Sequence, residues 1–156
     1  MRIEAIELHH VAMPLNEVWR TAASDETAIQ SVIVRMVTDA GEGWAETAPH
    51  RAPLYCPEWA DGCFRVLRDW LAPTLLGQEV GSGAELQALL KPFKGHQFAK
   101  AGLDVAWWDA HARAEDPVGR DAIEHAAGQA VGGPGGGRVA ATAQQRQYGG
   151  IEALHA

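Results

Sequence analysis

Lys91–Arg113 reads KPFKGHQFAKAGLDVAWWDAHAR, and this stretch decides how the rest of the chain is organised. Pro92 and Gly95 mark a loop, and from about Gln97 the composition is helical through Ala114. Phe98, Ala101, Val105, Trp108 and Ala112 recur at three- and four-residue spacing, which predicts the core stripe of a long amphipathic helix. Trp107 and Trp108 leave such a helix in different directions, one toward the core and the other toward a domain contact.

Upstream of that helix the periodicity changes twice. Arg2–Pro14 alternates as a strand, with Ile6, Leu8 and His10 on one parity and Ile3, Ala5 and His9 on the other. Pro14 ends it or marks an edge. Asn16–Glu26 has mixed polar composition and reads as an exposed loop. Thr27–Thr38 is a second strand, the segment from Asp39 to Gly43 a hairpin connection, and Gly43–Thr47 a third strand. Short connections make the three strands antiparallel neighbours. Ala48–Tyr55 carries Pro49 and Pro53 and is a loop. Pro57 suits a first helical turn, and Trp59, Cys63, Val66, Leu67 and Trp70 predict a helix running to about Leu71, stopped by Pro73. Ser82 and Glu85 have capping-box spacing and open a short helix through Leu90.

After Pro117 the composition shifts. Ala130–Gly137 is glycine-rich and reads as a linker; with no following Lys-Ser/Thr it is not a phosphate-binding loop. Val139–Ala143 alternates as a small-residue strand, and Ile151–Leu154 reads as the beginning of a helix. A single βα unit cannot close a sheet. The expected class is therefore α+β: a three-stranded antiparallel sheet, then a helical set, then one βα unit.

Composition bounds the function. A chain of 156 residues with a net charge of -7 and no basic run disfavours nucleic-acid backbones. No apolar stretch approaches the ~20 residues of a membrane helix. The amino terminus alternates and carries charge, unlike a secretion signal, so a cytoplasmic, reducing location is expected. Cys56 and Cys63, if both on one helix, stand about 10 Å apart along its axis, too far for a disulfide, and read as small buried side chains. His9 and His10 point to opposite faces of a strand and read as structural. His111 and Glu115, four apart on the long helix, read as an exposed ion pair.

Strands, helices and a lone βα unit in this order resemble the N-terminal cap of enolase-superfamily enzymes running into their (β/α)8 barrel. The local motifs resemble the N-acylamino acid racemase and o-succinylbenzoate synthase branch of the muconate-lactonizing group. MRIEAIELHHVAMPL is similar to its opening strand, Trp19-Arg20-Thr21 to its first loop, and Gly43-Trp44-Ala45-Glu46 to its third strand. Ala52-Pro53-Leu54-Tyr55 is similar to its second cap loop, and Lys94-Gly95-His96 with Ala99-Lys100-Ala101 to the entry of its last cap helix. Three departures stand out: Cys56 where the branch tends to have a serine cap, Gly102 where alanine is more usual, and no Ser-Phe-Gly run after Arg20.

The resemblance implies a cap over residues 1–116, a glycine-rich connection over 117–137, and the start of a truncated barrel over 138–156. It implies an intact enzyme that removes a proton next to a carboxylate, with lysine bases and Mg²⁺ stabilising the enediolate. The Lys-x-Lys pair and the metal carboxylates come from later barrel strands; Lys91 and Lys94 are not that pair, and no catalytic or metal residue is assigned here. The cap implies two substrate-specificity loops, Trp19, Arg20, Thr21 and Pro53, Leu54, Tyr55, which close the site and exclude water. Arg20 either pairs with a substrate carboxylate or makes an ordinary surface salt bridge; Tyr55 either touches substrate or packs its loop. The implied partners are a small carboxylate substrate, the barrel domain and a homo-oligomer. The 156-residue chain alone is expected to be inactive, and the alternative is a stand-alone α+β interaction domain derived from the cap.

Overall fold

The computed structural model describes residues 1–115 and 150–155. Four strands form one antiparallel sheet: β1 (Ile3–Arg20), β2 (Asp25–Thr38), β3 (Gly41–Thr47) and β4 (Gly150–His155), in the order β3-β2-β1-β4. One face of the sheet is the core. Ile6, Leu8 and His10 lie beside Met36, Val34 and Val32, which lie beside Gly43, Ala45 and Thr47. The other face is polar: Arg35 sits between Glu7 and Glu42, donating to both carboxylates, and lies over the Trp44 ring. The alternation of β1 is imperfect, as its sequence suggests: Ile3 and Ala5 are buried along with Ile6 and Leu8, across a register shift between Ile3 and Ala5.

Four α-helical segments cover the core face: α1 (Ala60–Val66), α2 (Ala72–Leu75), α3 (Gly83–Leu90) and α4 (Gln97–Glu115). A π turn over Leu67–Leu71 joins α1 to α2 without a break. The helix therefore passes through Pro73, where the sequence predicts a stop. The wide turn supplies the reason: the Ala72 amide bonds to the Leu67 carbonyl, so the hydrogen-bonding frame has changed before a residue without an N–H arrives. The start is also later than expected, at Ala60 rather than Pro57. The two tryptophans expected on its core stripe, Trp59 and Trp70, are exposed, while Cys63, Phe64, Leu67 and Leu71 are buried. Ser82 caps α3 as its spacing predicts, accepting from the Glu85 amide at 3.3 Å, and Glu85 accepts from the Gly81 amide at 2.7 Å.

Helix α4 lies across β3 and β2 with the opposite face inward from the one expected. Ala99, Gly102, Leu103, Ala106, Trp107 and Ala110 are buried, whereas Phe98, Val105 and Trp108 are exposed. The reason is close approach: a Cβ on Gly43 would stand 2.1 Å from the Ala106 carbonyl oxygen and 2.3 Å from the Ala110 amide nitrogen. A helix this near a strand presents its small residues. Gly102 belongs to the same seam, against the Val34 and Thr47 methyls. The Trp44 backbone N–H donates to Asp109 at 2.8 Å and the Thr47 hydroxyl to the Phe98 carbonyl at 2.9 Å, pinning β3 to the helix at its start and again three turns on. The two tryptophans do part, but the buried one is Trp107, 1% exposed, and not the Trp108 of the expected stripe, which is 49% exposed.

Two further expectations change. Trp19 and Arg20 are not in a long loop; β1 continues to Arg20 and pairs with β2 across a register shift between Pro14 and Trp19. Ile151–Leu154 is not a helix beginning. It lies within β4, paired antiparallel to β1 from Ala5 to His10. The strand expected at Val139–Ala143 and the glycine-rich connection lie outside the described residues.

Candidate functional site

The distal ends of β1 and β2 leave the helices behind and project as a two-stranded ribbon. Thr21 closes it: its hydroxyl donates to the Ser24 carbonyl at 2.9 Å and accepts from the Ala23 and Ser24 amides. Across the ribbon Trp19 is opposite Glu26, and Arg20 opposite Asp25. The second segment follows β3. His50 has a φ of 66°, a left-handed conformation uncommon for a residue with a side chain, and its carbonyl accepts from the Ala60 amide at 2.8 Å. That bond ties the loop to the start of α1, whose N-cap residue, Trp59, makes no side-chain cap.

The two segments meet through His50. Its ring stacks on Trp19 at 6.3 Å and lies tilted against Tyr55 at 5.8 Å. Beneath them a cleft of ≈ 230 Å³ is lined by Trp19, Glu26, Ile29, His50 and Arg51 among others. Glu26 is 3% exposed. Its carboxylate accepts from Ser24 Oγ at 2.7 Å and faces Arg51 Nε at 3.4 Å and His50 Nδ1 at 3.9 Å. A buried carboxylate needs this compensation. It fixes the backbone of the His50 loop against the ribbon, and with it the aromatic contact above.

Of the residues expected to form specificity loops, the structure brings together Trp19 and Tyr55. Arg20 faces Asp25 at 3.8 Å with both side chains largely in solvent. Thr21 serves the turn. Pro53, Leu54 and Tyr55 form an exposed tip. Glu26, His50 and Arg51 went unread in the sequence. Glu26 sits in a stretch that reads as loop, and nothing local shows that a carboxylate there meets a histidine 24 positions on; the weak signal was His50-Arg51 between two prolines.

Other titratable groups are structural. Burial pushes the Cys63 thiol up to about 12, reinforced by its hydrogen bond to the Glu58 carboxylate at 3.4 Å. Cys56 lies ahead of α1 rather than on it, so the helical spacing argument does not apply; both cysteines are free. His9 stacks on Trp44 on the outer face and His10 on Phe64 in the core, the opposite placement expected of neighbours in a strand. His111 pairs with Glu115 at 3.3 Å. Among the described residues, no three His, Cys, Asp or Glu side chains converge where they could hold a metal ion. The described residues therefore do not fit a Mg²⁺ site, which needs several oxygen ligands at one point. No described helix is long and apolar enough to cross a membrane.

Residues 3–118 match the family described as mandelate racemase / muconate lactonizing enzyme, N-terminal domain. The chain belongs to this family. It is 40% identical over 116 residues to the N-succinylamino acid racemase of an Amycolatopsis species, covering 74% of this chain and 32% of that protein. It is 31% identical over 114 residues to the o-succinylbenzoate synthase of Bacillus subtilis, covering 72% of this chain and 31% of that protein. A family member from Roseovarius nubinhibens, solved in complex with magnesium, superposes with a TM-score of 0.66 at 30% identity over 74% of this chain and 31% of that one. The chain thus spans about a third of the length of these relatives. The expected enolase-superfamily cap, an antiparallel sheet with a helical set, is the fold observed.

Proposed function

We propose that residues 1–116 are the cap of a longer enzyme that removes a proton next to the carboxylate of a small substrate, with Mg²⁺ and the proton-transferring lysines held by its barrel. The racemases and synthases it resembles support this reading. In that enzyme the cap's part is binding and exclusion of water. Trp19, His50 and Tyr55 would present an aromatic wall to the part of the substrate distant from the reacting carbon. Energy from such remote contacts helps hold the reacting carbon in line with its base. The observation that carries this role is the Trp19–His50–Tyr55 contact, which joins two segments far apart in sequence into one exposed surface.

The test is a chimera in which residues 1–115 replace the matching third of the Amycolatopsis racemase. It is expected to racemise N-succinylamino acids, and Trp19→Ala or Tyr55→Ala in it to raise KM by about tenfold with a smaller change in kcat, the pattern of lost substrate binding. A folded, active chimera whose KM ignores both substitutions would overturn the assigned role.

A second reading has one observation in its favour. β4 covers the edge of β1 from Ala5 to His10, so the chain itself caps part of a sheet edge that would otherwise be open to association. That arrangement suits a self-sufficient α+β interaction domain.

A further inference from the structure

The chain has three lysines, Lys91, Lys94 and Lys100, and all three line one groove between α3 and α4, on the helical side of the molecule. The arginines are used differently: Arg20, Arg35, Arg51, Arg65, Arg68 and Arg113 each face a carboxylate. None of the lysines is in an ion pair among the described residues. Gathering every lysine of a chain of net charge -7 around one depression creates a local positive field against the overall charge.

The groove has the size and chemistry of a ligand site. Its volume of ≈ 730 Å³ falls within the ~300–1,000 Å³ usual for small molecules. Lys100 donates to the Phe93 carbonyl, which anchors its ammonium group beside the loop from Lys91 to Gly95. Gln87 and Gln97 add amides, and Leu90 with Phe93 adds apolar surface. The one carboxylate in the lining, Asp104, is engaged by the Gln87 amide at 3.5 Å.

We propose that this groove binds a small polyanion of the phosphorylated-metabolite class. Lysine ammonium groups act as point charges toward phosphoryl oxygens, the glutamine amides hydrogen-bond the remaining polar atoms, and the apolar surface takes the body of the molecule. The site is separate from the cleft beside Trp19, Glu26 and His50 and shares no lining residue with it.

Titration calorimetry of the 156-residue chain with inorganic pyrophosphate at low ionic strength tests this. Saturable binding is expected, weakened by added salt as exposed charge pairs are. Lys91→Gln/Lys94→Gln is expected to weaken it by about tenfold or more, Lys91→Arg/Lys94→Arg to keep it within about threefold, and Asp104→Asn to tighten it, each with an unchanged thermal melt. Absence of saturable heat up to about 10 mM pyrophosphate overturns the proposal, and so does equal binding by the double glutamine variant, since such charge-assisted contacts would then be absent.

Discussion

Glu58 precedes α1, yet its carboxylate accepts from the Phe98 and Ala99 amides at the start of α4 and from the Cys63 thiol. A helix begins with unsatisfied amides, and here a buried side chain 40 residues away meets them. Glu58→Ala is expected to cost about 2 kcal/mol in a denaturant titration, from the lost charge-assisted bonds and the amides left buried. The Cys63 thiol pushed up to about 12 predicts that native alkylation at neutral pH labels Cys56 and spares Cys63; two adducts per folded molecule by mass spectrometry would contradict this. His10 gives a pH prediction. Burial pushes its imidazole below the ordinary value, with the Asp61 charge opposing in part, and no hydrogen bond meets its buried Nε2. The unfolded chain therefore binds more protons than the folded one as pH falls below about 6.5 toward the lower folded pKa, and stability drops across that window. His10→Phe, which keeps a ring against Phe64, is expected to flatten the fall in melting temperature between about pH 7.5 and 5.5. The burial of Cys63 was legible from its spacing; the Glu58 and His10 contacts were not, because each depends on a partner from another element.

At the scale of elements, the sequence reading found the strands and helices more securely than their faces. The order from β1 to α4, the Ser82 cap and the two directions of the tryptophan pair were legible because they follow from local chemistry. The inward face of α4 was not. Counting large apolar side chains selects Phe98, Val105 and Trp108, whereas the sheet selects for thinness: Gly43 against Ala106 and Ala110, Gly102 against Val34 and Thr47. Two glycine substitutions separate these effects. Gly43→Ala is expected to destabilise by about 3 kcal/mol or to displace the helix, because its Cβ would meet backbone rather than a movable side chain. Gly102→Ala meets methyl groups at 3.3 and 3.4 Å, and its gain in helix propensity of about 1 kcal/mol offsets that crowding, so its melt should change little. The ribbon was hidden for a related reason. Beyond His10, β1 has only β2 beside it among the described residues, so Pro14 is tolerated as on an edge strand, and side chains exposed on both faces lose the alternation that reveals a strand.

For the whole molecule, the division of labour follows from what is gathered where. Aromatic side chains meet at the ribbon end, and lysines line the groove between α3 and α4. The expected cap was legible because its motifs come in a fixed order along the chain. The Glu26–His50–Arg51 support of its aromatic surface was not, since those residues meet only after the ribbon folds over the loop. We infer that this chain binds and shields but does not itself transfer the proton. Proton NMR of an N-succinylamino acid in D₂O with Mg²⁺ and the purified 156-residue chain tests it most directly. The α-proton signal is expected to persist as in the protein-free control; its loss in proportion to added protein would overturn that inference.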